Sequence, residues 1–198
     1  MKIIIISGTP GTGKTSVSRK ISEILDVSII SLNELAISKN FILDYDEERD
    51  TYIVDFDRLI PYVVEQIKLQ KKDKKKYLII ESHFSDIIPN KFIDYCLVLR
   101  CDPEQLYNRL KERDYNEIKI IENIQAEILG NCANYLIQKQ MKSPIYEIDT
   151  THLTINSEAK IIIDIIINNK NRDLYLIGKI DWLEKLDKEN RLNKYFNM

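Results

Sequence analysis

Residues 8–15 read Gly8-Thr9-Pro10-Gly11-Thr12-Gly13-Lys14-Thr15, directly after the β-branched run 2–7. Glycine, four residues, glycine, lysine and then serine or threonine is the spacing of a phosphate-binding loop set between a strand and a helix. Phosphate oxygens need donors aimed at one point, and small residues let successive backbone N–H groups turn inward without Cβ clashes. The helix that follows adds its free N-terminal donors and the positive end of its dipole. In such a loop Lys14 bridges the β- and γ-phosphates of ATP, the Thr15 hydroxyl ligates magnesium and Ser16 adds a hydroxyl near the α-phosphate. The competing reading is a glycine-rich turn with a solvated lysine; the strand before and the helix after favour the phosphate loop.

The rest of the chain reads as an α/β fold of the P-loop NTPase kind. Short β-branched runs at 2–7, 28–31, 77–81, 95–99 and 145–149 alternate with helical patterns, which predicts a five-stranded parallel sheet with helices on both faces. Ile60, Val63, Val64 and Ile67 recur at helical spacing after the capping residue Asp55. Asp102-Pro103-Glu104-Gln105 starts another helix, with Asp102 as cap, Pro103 in the first position and Gln105 completing a capping box before Leu106 and Leu110. A third helix begins at Asn116 and is expected to carry Ile118, Ile121 and Ile128 inward. The run 71–76, five lysines and Asp73, reads as a solvated loop at the far edge of the sheet. The tail 169–198, with the sole tryptophan Trp182, reads as a peripheral helix packed on a single domain.

Charge and cysteine usage exclude other classes. With 29 Lys and Arg against 31 Asp and Glu, the formal charge of -2 leaves no global positive field, so no strong direct nucleic-acid binding is expected. Cys96, Cys101 and Cys132 fit neither a disulfide framework nor a zinc site, and their odd number points to a reducing, cytoplasmic setting. The apolar stretches 1–7 and 161–167 are too short for a signal peptide or a membrane span, so no membrane partner is expected.

Two further elements carry chemistry. Glu81 closes the run 77–81, where a carboxylate at the carboxyl end of a strand can hold the magnesium shell; an acid simply reaching water is the alternative. His83 follows on the same side and could position water or a phosphate oxygen. Phosphoryl transfer needs cations near a mobile segment, and Arg100, Arg109 and Arg113 lie together after the fourth run. Arg113 opens the polar segment 113–117, which reads as a lid between two helices.

Taken in order, the phosphate loop, the segment Asp44-Tyr45-Asp46-Glu47-Glu48-Arg49-Asp50, the element Glu81-Ser82-His83, and Arg113-Asp114-Tyr115-Asn116-Glu117 followed by Asn123-Ile124-Gln125-Ala126-Glu127 resemble the adenylate kinase isoenzyme 6 family. The resemblance covers residues 2–149, and the long tail looks archaeal. It implies a nucleoside monophosphate kinase type of fold, with an acceptor-binding insertion at about 31–54 and a short lid at about 112–122. It implies adenylate kinase activity with magnesium and ATP, intrinsic ATPase activity, and a role in late maturation of the small ribosomal subunit through binding of a small-subunit ribosomal protein. By carry-over, Gly11, Gly13, Lys14, Thr15 and Ser16 bind ATP, Arg113 is the lid contact, and Glu81 with His83 forms the second motif. The sequence departs from the family pattern in two places. Glutamate stands at 81 where aspartate is usual, and an arginine of the monophosphate helix is replaced near Ile37, so that Lys39 or Arg49 is left as the acceptor cation.

Overall fold

In a computed structural model, which describes residues 1–73 and 75–196, the chain forms a three-layer α/β structure. Lys74, in the lysine run, and residues 197 and 198 of the tail lie outside the described residues. Strands β1 (Lys2–Ser7), β2 (Ser28–Ser31), β5 (Tyr77–Glu81), β6 (Tyr95–Arg100) and β7 (Ile145–Asp149) make one parallel sheet in the order β2-β5-β1-β6-β7. All five coincide with the β-branched runs, the fourth being one residue longer than expected.

Helices cover both faces of this parallel sheet, and its central strands are buried on both sides. Ile3 and Ile5 of β1 face helices α3 (Phe56–Gln70) and α6 (Asn131–Gln138), while Ile4 and Ile6 face α1 (Lys14–Leu25) and α7 (Ile155–Ile163). All four isoleucines are at most 1 % exposed, and each such burial contributes about 1.5–3 kcal/mol. The first helix layer is pinned by its caps: Asp55 Oδ1 accepts from Arg58 N at 3.1 Å, and Leu59, Val63 and Ile67 of α3 form the buried stripe. Ile60 and Val64 are only half-buried.

Helices α4 (Pro103–Lys111) and α5 (Glu117–Ile128) build a third apolar cluster with α8 (Trp182–Lys188) and α9 (Asn193–Phe196). Asp102 caps α4 by accepting from Glu104 N at 3.0 Å, but its own N–H donates to Thr151 Oγ1 at 2.8 Å, so Gln105 does not complete a capping box. The Asn116 side chain caps α5 at Lys119 N, 2.8 Å away. The inward face of α5 is Ile120, Ile124 and Ile128 rather than Ile118, which is 52 % exposed.

Between β2 and α3 the chain leaves the sheet as α2 (Leu32–Ser38) and an antiparallel hairpin of β3 (Ile42–Asp46) and β4 (Thr51–Val54), whose turn projects over the carboxyl ends of the strands. The hairpin is a difference from the sequence-based expectation of five strands. Residues 175–178 run along the outer strand, with Leu176 bridging Tyr146 and Ile177 N donating to Ile145 O at 3.1 Å, so the β7 edge is covered there. No helix is long and apolar enough to cross a membrane among the described residues.

Candidate active site

The loop between β1 and α1 wraps the carboxyl end of the central strand, and glycine is required there by one close approach and one left-handed turn. A Cβ on Gly8, at φ 142°, would sit 2.5 Å from the Leu99 carbonyl oxygen of β6. Gly13, at φ 103°, caps α1 in a left-handed conformation and leaves the first N–H groups of that helix free of any side-chain cap. Thr12 N and Thr12 Oγ1 both donate to Thr9 O, at 3.2 and 2.9 Å, which closes the turn.

Lys14 lies across this turn. Its Nζ donates to Gly8 O at 2.7 Å and Thr9 O at 3.0 Å, and the residue is 9 % exposed. Burial pulls its ammonium pKa below the ordinary value; Arg113 adds to the fall, and Glu81 and Glu127 oppose it. A buried ammonium held only by carbonyl oxygens is poised for a stronger anionic partner. Thr15 Oγ1 donates to Glu81 Oε1 at 3.2 Å, so the hydroxyl at the start of α1 and the carboxylate at the end of β5 form a paired oxygen donor set. An all-oxygen pair of this kind suits a hard divalent cation shared with phosphate.

His83 opens onto the same cleft, with its ring against Phe84 at 4.7 Å between centroids. Crowding by the cleft walls, then the nearby Lys14 and Lys119 cations, lower its pKa, and because the side chain is itself exposed the fall from 6.5 is smaller than full burial would give. The imidazole is therefore neutral at pH 7 and offers a hydrogen bond rather than a charge.

The cleft has a volume of about 620 Å³. One wall is the phosphate loop with Gly11, Gly13, Lys14, Thr15 and Ser16; the opposite wall comes from Asn33 and Ile37 of α2 and from Arg49 to Tyr52 of the hairpin turn and β4. Arg113 and Tyr115, in the break between α4 and α5, close the third side with Lys119, Glu122 and Asn123 of α5. An apolar recess of about 190 Å³ adjoins it between α2, β4 and His83, lined by Ile37, Ile42, Val54, Phe56 and Phe84 among others.

The expected site residues are thus brought together except for Lys39, Arg100 and Arg109. Lys39 does not line the cleft; its ammonium lies over the Tyr62 ring, 5.6 Å from the centroid, because it follows the last turn of α2 and points toward α3. Arg49 does line the cleft and pairs across it with Glu122, Nε to Oε1 at 3.0 Å. Arg100 is no cleft cation: it is 3 % exposed and bonded to Glu127 and Glu147 at 2.8 and 2.6 Å. Arg109 braces the back of the loop, donating to Thr150 O at 2.8 Å and to Gly11 O at 3.5 Å.

Sequence reasoning missed Lys119, whose Nζ donates to the Asp50 carbonyl across the cleft and stands 3.8 Å from Asp50 Oδ2. The signal was the cap at Asn116, which places Lys119, Glu122 and Asn123 on one face at helical spacing. It also missed the support role of Glu127, which accepts from Thr9 Oγ1 of the phosphate loop at 2.6 Å.

A glycine loop on the central strand, its lysine, a hydroxyl–carboxylate pair at the neighbouring strand end and a hairpin insertion over the cleft define a P-loop NTPase fold of the nucleoside monophosphate kinase type. A family model described as "AAA domain" matches residues 4–130. A protein of Methanocaldococcus jannaschii named "Putative adenylate kinase" is 36% identical over 182 residues, 92% of this chain and 93% of the relative. An "Adenylate kinase isoenzyme 6 homolog" of Caenorhabditis elegans is 28% identical over 147 residues, covering 74% of this chain and 79% of the relative. The chain belongs to this adenylate kinase isoenzyme 6 family, in the group of its archaeal members. Among solved structures, a deoxyadenosine kinase from M. mycoides superposes with a TM-score of 0.53 at 17% identity, covering 85% of this chain and 100% of its own, a likeness of fold.

Proposed function

We propose that the protein transfers the γ-phosphoryl group of ATP to a nucleoside monophosphate, AMP being the first acceptor to test. The observation that carries this is one cleft with two unlike walls: a phosphate loop holding Lys14 and the Thr15–Glu81 pair faces a hairpin insertion holding Arg49, with an apolar recess beside it large enough to take part of a base. The relatives named as adenylate kinases support the same reading.

In this reading residues 31–54 are the acceptor insertion and 112–122 the lid of a single kinase domain. ATP lies along Gly11, Gly13, Lys14, Thr15 and Ser16. Lys14 exchanges the carbonyls of Gly8 and Thr9 for β- and γ-phosphate oxygens, a trade of neutral acceptors for charged ones. Thr15 and Glu81 would hold a magnesium ion, which would supply charge neutralisation to the phosphates. Arg113 covers the transferring group from the lid, and Arg49 with Lys119 takes the acceptor phosphate as each lets go of its carboxylate partner. Closure over the 620 Å³ cleft excludes water, so that the acceptor oxygen attacks in line rather than a hydroxide.

A second reading has its own observation. Neutral His83 lines the same cleft as the phosphate loop, where it can hold a water, and the exposed hairpin carries Asp44, Glu47, Glu48 and Asp50. An ATPase that binds a basic small-subunit ribosomal protein during 30S maturation would use both features, in a cytoplasmic setting. Incubating the protein with ATP and magnesium, with and without AMP, and resolving ADP from free phosphate separates the two. AMP-dependent ADP without phosphate release is the expected result; phosphate release indifferent to AMP and stimulated by a ribosomal protein would leave only the second reading. Lys14→Ala is expected to lower turnover at least about 100-fold in either assay.

A further inference from the structure

The phosphate loop rests on a buried charged network that extends to the C-terminal segment. Thr9 Oγ1 donates to Glu127 Oε2 at 2.6 Å. The other oxygen, Glu127 Oε1, accepts from Arg100 Nε at 2.8 Å, from Cys101 N at 3.1 Å and from the Trp182 indole Nε1 at 3.1 Å. Arg100 continues to Glu147 Oε1 at 2.6 Å, and Glu147 Oε2 accepts from Gly178 N at 2.8 Å. Thr9, Arg100, Glu127, Glu147 and Trp182 are each at most 5 % exposed. Carboxylates in such a place are tolerable only while their donors are kept, so loss of one donor forces the others to shift.

Two of these donors, Gly178 N and Trp182 Nε1, come from a segment that supplies no strand of the parallel sheet and does not line the cleft. Thr9 is also the residue whose carbonyl receives Lys14 Nζ and closes the Thr12 turn. We propose that Glu127 is a positioning residue through which the C-terminal segment sets the phosphate loop: Trp182 orients one carboxylate oxygen while the other fixes Thr9. The proposal rests on the reading that the loop binds a nucleotide. When Lys14 leaves Thr9 O for phosphate, Thr9 readjusts against Glu127, and the change reaches the indole.

Trp182 is the sole tryptophan, so its emission reports this path directly. Titration of the intact protein with magnesium ATP is followed in parallel by tryptophan fluorescence and by calorimetry. A fluorescence change saturating at the calorimetric Kd is expected. Calorimetric binding with unchanged emission overturns the proposal and leaves nucleotide binding standing; absence of heat overturns both.

Variants supply the energetic test. Trp182→Phe keeps an aromatic ring but loses the N–H, and Thr9→Val loses the hydroxyl; each is expected to weaken ATP binding about three- to tenfold. The double variant is expected to be no weaker than the worse single one, since both interrupt the same path. Leu186→Ala is the control: Leu186 is buried in the same cluster without a bond to Glu127, so its loss lowers the thermal midpoint while Kd stays within about twofold. Single effects that multiply in the double variant, or a loss of affinity in Leu186→Ala equal to that in Trp182→Phe, overturn the proposal.

Discussion

Glu158 shows how one side chain beside the loop couples the fold to pH. It sits in the first turn of α7, 3 % exposed, with Oε2 lacking any hydrogen-bond partner and lying 3.5 Å from where a Cβ on Gly13 would be. Burial raises its pKa from 4.5 to about 7, against a smaller opposing pull from Arg109. A carboxyl whose folded pKa is raised binds more protons in the native state than in the unfolded chain between those two values, so stability falls as pH rises from about 4.5 to about 7. Above that window the native state carries an unpaired buried charge. Glu158→Gln is therefore expected to raise stability by about 1–3 kcal/mol at pH 8 and to show a shrinking gain toward pH 5. Denaturant unfolding at the two pH values checks this; an equal effect at both would refute the account. At this scale the phosphate loop was legible because its spacing and its neighbours are local in sequence. The roles of Glu127 and Glu158 were not, since Thr9 and Gly13 beside them are more than a hundred positions away, and the segment that ends at Glu127 does not say what its carboxylate bonds.

Between elements, the hairpin turn and α5 are tied across the cleft by Arg49–Glu122 at 3.0 Å and Lys119–Asp50 at 3.8 Å. Arg49 and Glu122 are 58 % and 43 % exposed in their side chains, so the pair is worth no more than about 1 kcal/mol and yields readily to a phosphate. Glu122→Gln removes a competitor for the Arg49 guanidinium without touching the phosphate loop. The acceptor KM is expected to fall about two- to fivefold with kcat little changed, and the difference from wild type to shrink as salt is raised. Steady-state kinetics with AMP varied at two ionic strengths tests it; an unchanged or higher KM would show that Arg49 does not receive the acceptor. The five sheet strands were readable from their β-branched and aromatic residues, most plainly β1, β5 and β6, whose apolar runs are covered on both faces. β3 and β4 were not, because their residues are mostly exposed, and the strand pattern is carried by Tyr45 paired with Tyr52 rather than by burial. The inward face of α5 was misassigned because five isoleucines cover adjacent faces, and only the packing of α4 and α8 selects Ile120, Ile124 and Ile128.

For the molecule as a whole, the segment after β7 decides whether the site half of the sheet is stable by itself. A polar tail with one tryptophan reads as a peripheral helix, yet Trp182, Leu186 and Tyr195 are 5 %, 0 % and 2 % exposed in a cluster with α4 and α5. Polar contacts reinforce this docking: Gln125 Nε2 donates to Tyr195 O at 2.7 Å, and Arg191 and Lys185 pair with Glu104 and Asp102 at 2.6 and 2.9 Å. At about 1.5–3 kcal/mol per buried large side chain, the three apolar residues contribute an amount comparable with the roughly 5–15 kcal/mol total of an ordinary domain. Ending the chain after residue 175 also uncovers the β7 edge that Leu176 and Ile177 protect. The full protein is thus expected to unfold in one transition, with tryptophan emission and far-ultraviolet circular dichroism changing together, and the shortened chain to lose that transition or aggregate. If the indole signal melted well before the helix signal, or if the shortened chain kept the full thermal midpoint, the tail would be an appendage, and the support it gives to α4, α5 and the segment between them would have to come from elsewhere.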